Sequence, residues 1–282
     1  MKVSVLMENR PSESDGRLGF EWGLSLHVAL EGRAILFDTG ASGRFVENAE
    51  HMSVDVASVD VAVLSHHHYD HGGGLRRFLA LNAKAKVYLG ERPEGECWVK
   101  VYGVIKRYAG LDRELLADFP ERFEVVERPV EIAPDVFLIP RIGGTHQRPA
   151  GNRHLFVKRG DTFVPDAFAH ELVMAVKENG RLVVFTGCSH SGVLNMVDAV
   201  VERFPGVPIR AVIGGFHLVG LPPVSGLSGS KDEVREVAAA LLATPVGTVY
   251  TGHCTGEAAF AVLKSVMGEG IVDLRTGARV EI

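Results

Sequence analysis

Between Ser65 and Gly73 the chain reads SHHHYDHGG, with His66, His68, Asp70 and His71 at the spacing H-x-H-x-D-H. The run follows Val59–Leu64, an apolar stretch of β character. In extended backbone, residues two apart face the same side, so His66 and His68 can converge on one ion. The chain must then turn, which frees Asp70 and His71 for a second ion. Neutral imidazoles and a carboxylate suit a borderline divalent cation such as Zn²⁺, with iron and manganese as alternatives. A tag-like histidine run would be terminal and set in polar linker, whereas this one is internal and follows an apolar strand. Ions so held lower the pKa of a bound water toward about 7 and polarise a phosphoryl or carbonyl oxygen, the chemistry of hydrolysis and group transfer. Asp70 can help hold the second ion and accept a proton from that water.

The elements that must position these residues are legible in the apolar patterning. Lys2–Met7 reads as a strand and runs into a polar loop, ENRPSESDGRLG. Leu24–Leu30 and Ala34–Phe37 flank Glu31-Gly32 as a hairpin, and its second arm ends in Asp38-Thr39-Gly40. A second hairpin, Leu172–Lys177 and Arg181–Phe185 around Asn179-Gly180, ends in Thr186-Gly187-Cys188-Ser189-His190. Lys86–Leu89 and Val136–Pro140 read as strands, the latter leading into RIGGTHQ with His146. Ile209–Ile213 delivers Gly214-Gly215-Phe216-His217, and Thr248–Thr251 delivers Gly252-His253-Cys254. Helical spacing marks Arg44–His51, Leu75–Ala83, Lys231–Ala243 and Glu257–Met267, and a Gly/Ser/Pro-rich loop covers 220–230. Residues 91–135, with Trp98, Tyr102, Tyr108 and Phe119, read as an insertion or lid over the site. His27, His51, His154 and His170 read as core or surface histidines without chemistry.

The two hairpins resemble each other, LHVALEGRAILFDTG against LVMAVKENGRLVVFTGC. They predict an α/β sandwich of two similar halves about a pseudo-twofold axis, with helices outside each sheet. No linker divides the chain, so residues 1–282 are expected to form a single domain. A net charge of −5 and a pI near 6.2 give no basic stripe for nucleic acid, which leaves a small-molecule substrate as the expected partner. No apolar run is long enough to span a membrane and the first residues lack a signal-type apolar core. Three sparse cysteines, Cys97, Cys188 and Cys254, argue against a disulfide framework and for a reducing compartment, the cytoplasm.

H-x-H-x-D-H after a strand, preceded by a strand ending in Asp-Thr-Gly, resembles the metallo-β-lactamase superfamily. The resemblance implies a four-layer αββα sandwich with one or two divalent ions, most simply zinc. It implies that Asp38 orients the metal loop from behind, and that His253, the last of the ordered histidines, completes the second site. His190 is then the choice for the third ligand of the first site, with His146 its competitor. Cys188 stands where many members place an aspartate bridging the metals, and His217 is expected to touch substrate or metal-bridging solvent. Four motifs, SHHHYDHGGGL, TGCSHSGVLNM, IGGFHL and TGHCTGEAAF, narrow the likeness to a branch of dihydropterin-6-methyl-(ribofuranosyl)aminobenzene 5′-phosphate synthases and metal-dependent hydrolases. Ala169-His170-Glu171, where that branch carries an acidic pair, is a departure. The branch implies a phosphorylated or pyrophosphorylated substrate, and in the synthase reaction an arylamine displaces pyrophosphate. The aromatic residues around Trp98–Tyr108 are the expected stacking partners for a pterin. Acyl-bond hydrolysis, or metal binding without turnover, are the rival readings.

Overall fold

The computed structural model describes residues 1–101, 103–220 and 226–282. Tyr102 and residues 221–225 of the Gly/Ser/Pro-rich loop lie outside the described residues. The strands of the first half are β1 (Lys2–Met7), β2 (Ser25–Leu30), β3 (Arg33–Phe37), β4 (Val61–Leu64), β5 (Lys86–Gly90), β6 (Glu96–Val101), β7 (Ile105–Tyr108), β8 (Phe123–Val126), β9 (Val130–Ala133) and β10 (Val136–Pro140). Those of the second are β11 (Leu155–Arg159), β12 (Thr162–Pro165), β13 (Leu172–Glu178), β14 (Arg181–Phe185), β15 (Ile209–Gly214), β16 (Val246–Thr251), β17 (Ile271–Asp273) and β18 (Arg279–Glu281). The α-helices are α1 (Arg44–His51), α2 (Tyr69–Gly72), α3 (Leu75–Leu81), α4 (Leu115–Asp118), α5 (Val193–Arg203), α6 (Lys231–Ala243) and α7 (Glu257–Met267).

Two seven-stranded sheets form the centre, ordered β18-β1-β2-β3-β4-β5-β8 and β17-β16-β15-β14-β13-β10-β9. In each, an antiparallel hairpin (β2–β3, β13–β14) is followed by two parallel strands (β4 and β5, β15 and β16), which is the internal repeat read from the sequence. The second hairpin turns on Asn179 and Gly180, both at positive φ (52° and 72°), as a type I′ turn requires. Alternation along β14 sorts its side chains. Val183 and Phe185 point inward against the first sheet, among Val28, Ile35 and Phe37, whereas Leu182 and Val184 face outward under α5, α6 and α7. On the other side Leu36, Leu64 and Val87 pack beneath Phe45, Phe78 and Leu115 of the first-half helices. Helix, sheet, sheet, helix is therefore the layer order, the expected αββα sandwich. The N-terminus of α6 carries a capping box, Ser230 accepting from Glu233 N and Glu233 accepting from Ser230 N.

The stretch 91–135 is divided among three sheets. Its β6–β7 hairpin joins β11 and β12 in a small sheet, ordered β12-β11-β6-β7, while β8 and β9 extend the edges of the two large sheets. The small sheet bears on the metal loop, because Ala109 O accepts from Tyr69 N (2.9 Å) and Gly110 pairs with His68. Trp98 packs edge-on against Tyr108 and Phe163, with centroids 5.9 and 5.8 Å apart. Its strand neighbour Cys97 faces His170, so Trp98 lies on the opposite face of that sheet from the histidines.

Candidate metal centre

The parallel strands end together, and the residues that follow them meet at one edge of the sandwich. Asp38 follows β3, His66 and His68 follow β4, Cys188 and His190 follow β14, His217 follows β15 and His253 follows β16. Four of these strand-end turns place a non-glycine residue at positive φ: Asp38 (59°), Ser189 (57°), His217 (49°) and His253 (51°). Such residues each carry about 1–3 kcal/mol of backbone strain and persist where surrounding contacts over-determine them. Gly187 permits the close approach of the two sheets here, since a Cβ at that position would overlap Ser65 Oγ.

Two groups of donor atoms result. In the first, His66, His68 and His190 bring a ring nitrogen each within 4.8 Å of the others. Ser65 Oγ donates to Asp38 Oδ2 (2.7 Å), so it accepts from His66 Nδ1 (2.9 Å), and His66 Nε2 is left facing His68 Nδ1 at 3.1 Å. Asn152 is fixed by donating to His190 O (2.7 Å) and accepts from His190 Nδ1 (3.0 Å). His190 Nε2 is buried with no partner. Glu171 holds this loop from below, accepting from the backbone N of His190 (2.7 Å) and of Ser191 (2.6 Å).

The second group is Asp70, His71, Cys188 and His253. Asp38 accepts from Ser65 N (2.7 Å) and from His71 Nδ1 (2.6 Å), which commits the His71 proton and aims its Nε2 at the site. Asn9 Oδ1 accepts from Gly23 N and from His253 Nδ1 (both 2.9 Å), which does the same for His253. The two Nε2 atoms then face each other at 3.0 Å, with Cys188 Sγ at 3.1 and 3.3 Å and Asp70 Oδ2 at 3.8 and 3.6 Å. Two ring nitrogens so placed hold together only with a proton or a cation between them. Two nitrogens, a carboxylate oxygen and a thiol about one point are a donor set for a borderline divalent ion. With the orphaned His190 Nε2 next door, the residues fit the metal ions that the sequence reading expects.

Burial, reinforced by neighbouring imidazoles, pushes His66, His68, His190 and His253 well below the ordinary histidine range, so they stand neutral and ready to ligate. Burial opposes a charge on His71 too, but the Asp38 and Asp70 carboxylates prevail and raise its pKa. Burial also raises the Cys188 thiol, so a thiolate there needs a cation beside it. His217 falls to about 4, chiefly by burial. Its ring lies 4.2 Å from that of His190, its Nδ1 is unpartnered, and Cys188, His190 and His217 form a further group that shares a residue with each of these two.

His146 is not brought to either group. Its Nε2 pairs with Asp198 at 3.0 Å on the exposed side of α5. Further residues contribute to the site. Trp22 donates its indole N–H to Asp70 Oδ2 (3.0 Å), and Asn9, Asn152 and Glu171 orient ligand-bearing segments as described. His170, expected to be inert, is buried beside His68; its Nδ1 accepts from His67 N (3.2 Å) and its Nε2 donates to Asp166 (3.1 Å). The one signal in the sequence for this set is the pair His170-Glu171, polar residues set directly against the apolar start of β13.

The family model of the metallo-β-lactamase superfamily matches residues 23–253, from the loop before β2 to the last histidine of the site. The chain belongs to that superfamily. A crystal structure of a metal-dependent hydrolase of the β-lactamase superfamily superposes with a TM-score of 0.80 at 31% identity, covering 100% of this chain and 99% of the other. The Zn²⁺-bound PqqB of Methylobacterium extorquens has the same fold, with a TM-score of 0.60 at 10% identity over 100% of both chains. Among curated proteins, the 7,8-dihydropterin-6-methyl-4-(β-D-ribofuranosyl)-aminobenzene-5′-phosphate synthase of Methanocaldococcus jannaschii is 26% identical over 252 residues, 83% of this chain and 81% of the relative. Metallo-β-lactamase superfamily proteins hold divalent metals and are mostly metal-dependent hydrolases, and the His/Asp/Cys clusters of this chain lie inside the matched region. Among the described residues, no helix is long and apolar enough to cross a membrane.

Proposed function

We propose that this chain is a metal-dependent hydrolase or transferase acting on a phosphorylated or pyrophosphorylated small molecule. His66, His68 and His190 would hold one ion, and Asp70, His71 and His253, joined by Cys188, a second. Zinc suits this set best, and iron or manganese are the alternatives. The observation that carries the reading is the pair of donor groups meeting at one edge, with His190 Nε2 of the first group and His217 Nδ1 near it buried and unpartnered. A purely structural metal site would close its coordination with protein atoms.

Bound there, divalent ions would acidify water and neutralise charge on a phosphoryl or pyrophosphoryl group. The protein's own part is orientation. Asp38 fixes the His71 ring and the Ser65 turn, Asn9 fixes His253, and Asn152 and Glu171 fix His190. Asp70 accepts from Trp22 through Oδ2 and keeps lone pairs for an ion or a proton. His217, neutral and with Nδ1 free, can accept a hydrogen bond from a group arriving beside His190.

The phosphorylated substrate class is supported by the name of the curated relative, and the condensation of a dihydropterin with a ribofuranosylaminobenzene phosphate is the specific reaction proposed. A cytoplasmic setting belongs to the same proposal, since all three cysteines are buried and unpaired. Metal-reconstituted protein should cleave a phosphodiester or pyrophosphate probe such as bis(4-nitrophenyl) phosphate, and chelation should abolish the activity. Metal-dependent turnover of carboxyl esters with none of phosphate esters would overturn the reading in favour of acyl hydrolysis.

A further inference from the structure

Trp22 is an exposed indole fastened to the rim of the metal centre. It is 41% exposed, unusual for the largest apolar side chain in a chain with two tryptophans. The loop that carries it joins β1 to β2 and is pinned at both sides of the indole: Asn9 takes Gly23 N (2.9 Å), and Glu21 takes Ala41 N, Ser42 N and Ser42 Oγ (3.1, 2.9 and 2.7 Å). The indole N–H is spent on Asp70 Oδ2 at 3.0 Å, and the ring lies 5.6 Å from the His253 ring, tilted by 51°. One edge of the indole is therefore fixed against two residues of the second donor group, while a large part of its surface faces solvent. The exposed Tyr69 side chain, 43% accessible, adjoins Asp70 in the chain.

From this placement we infer that Trp22 is the stacking platform for a planar aromatic or heteroaromatic ring carried by the substrate. The inference rests on the proposed phosphoryl chemistry and names the part of the substrate that the metal ions do not hold. A rigid indole beside a charge-handling site favours a flat π-system over an aliphatic chain, because offset stacking adds to area burial only between rings. Orienting the plane through the N–H costs little side-chain entropy on binding, since the rotamer is already set. Trp98, the indole that the sequence suggested for this task, is instead packed between Tyr108 and Phe163 on the far face of the small sheet.

The experiment uses zinc-reconstituted full-length protein and two probes, 6-hydroxymethylpterin and ribose 5-phosphate, with binding read by calorimetry and metal content by elemental analysis. Trp22→Phe keeps a ring and loses the N–H, whereas Trp22→Gln keeps an N–H donor and loses the ring. Pterin affinity should stay within roughly threefold in Trp22→Phe and fall roughly five- to tenfold in Trp22→Gln, with ribose 5-phosphate affinity unchanged in the latter. The opposite pattern, parental pterin affinity in Trp22→Gln with loss of metal and pterin binding in Trp22→Phe, would overturn the platform and leave Trp22 as a support for Asp70. Parental protein that binds ribose 5-phosphate but no pterin would also overturn it, while the phosphoryl reading stood. Binding of pterin but no phosphate, lost in Trp22→Gln, would uphold the platform and count against the phosphoryl reading.

Discussion

Replacing Asp38 by Asn probes how the site is set without changing any proposed ligand. Asp38 is buried, and its carboxylate takes three hydrogen bonds, from Ser65 N, Ser65 Oγ and His71 Nδ1. An asparagine of the same shape has one acceptor oxygen, and Ser65 N claims it because a backbone N–H cannot reverse its role. The amide N–H₂ then faces Ser65 Oγ and His71 Nδ1. His71 must accept there, so its proton moves to Nε2, the atom that faces His253 and Cys188. A protonated Nε2 cannot ligate. Loss of one charge-assisted bond should lower folding stability by about 1.5–3 kcal/mol. The wrong tautomer should weaken the second ion by roughly 10- to 100-fold, the range for residues that orient metal ligands. Competition with a chromophoric chelator reads the affinity, nitrogen NMR of the imidazoles reads the tautomer, and urea unfolding reads the stability. Asp38→Asn protein that bound both ions at parental affinity, with His71 Nε2 unprotonated, would refute the reasoning.

Further outcomes follow from the same geometry. His190→Ala should lose the first ion, whereas His146→Ala, whose side chain pairs with Asp198, should keep both; metal analysis of the two variants decides. Cys188→Ser should remain folded but lose the sulfur-to-metal charge-transfer band of the cobalt-substituted protein, and an unchanged spectrum would exclude the thiol from the coordination shell. Gly187→Ala, whose Cβ would overlap Ser65 Oγ, should cost about 1–3 kcal/mol of stability by overpacking and weaken metal binding, both visible in denaturant titrations with and without zinc.

What was legible in the sequence was whatever local pattern encodes. Hairpins announced by Glu31-Gly32 and Asn179-Gly180, helices α6 and α7, and the contiguous run His66–His71 needed only periodicity and turn chemistry. The repeat of hairpin and strand end was enough to suggest the two-sheet sandwich. Pairings between distant segments were not legible: β6 joins β11 through residues 96–99 and 155–158, and the short strands β8 and β9 declare no partner. The orienting residues were hidden for the same reason. Asn9, Trp22 and Asn152 are ordinary loop residues until the fold carries them to His253, Asp70 and His190, and no local spacing distinguishes them. The choice between His146 and His190 likewise depended on which way a loop turns after β10 and after β14.

Metal content per chain, measured by elemental analysis of tag-free protein purified without chelator, tests the central claim most directly. Two donor groups with complementary oriented nitrogens predict about two transition-metal ions per chain, with both removed by chelation and restored by zinc. Protein that remained metal-free after incubation with zinc, iron or manganese would contradict the account, since the two converging donor groups would then hold no ion.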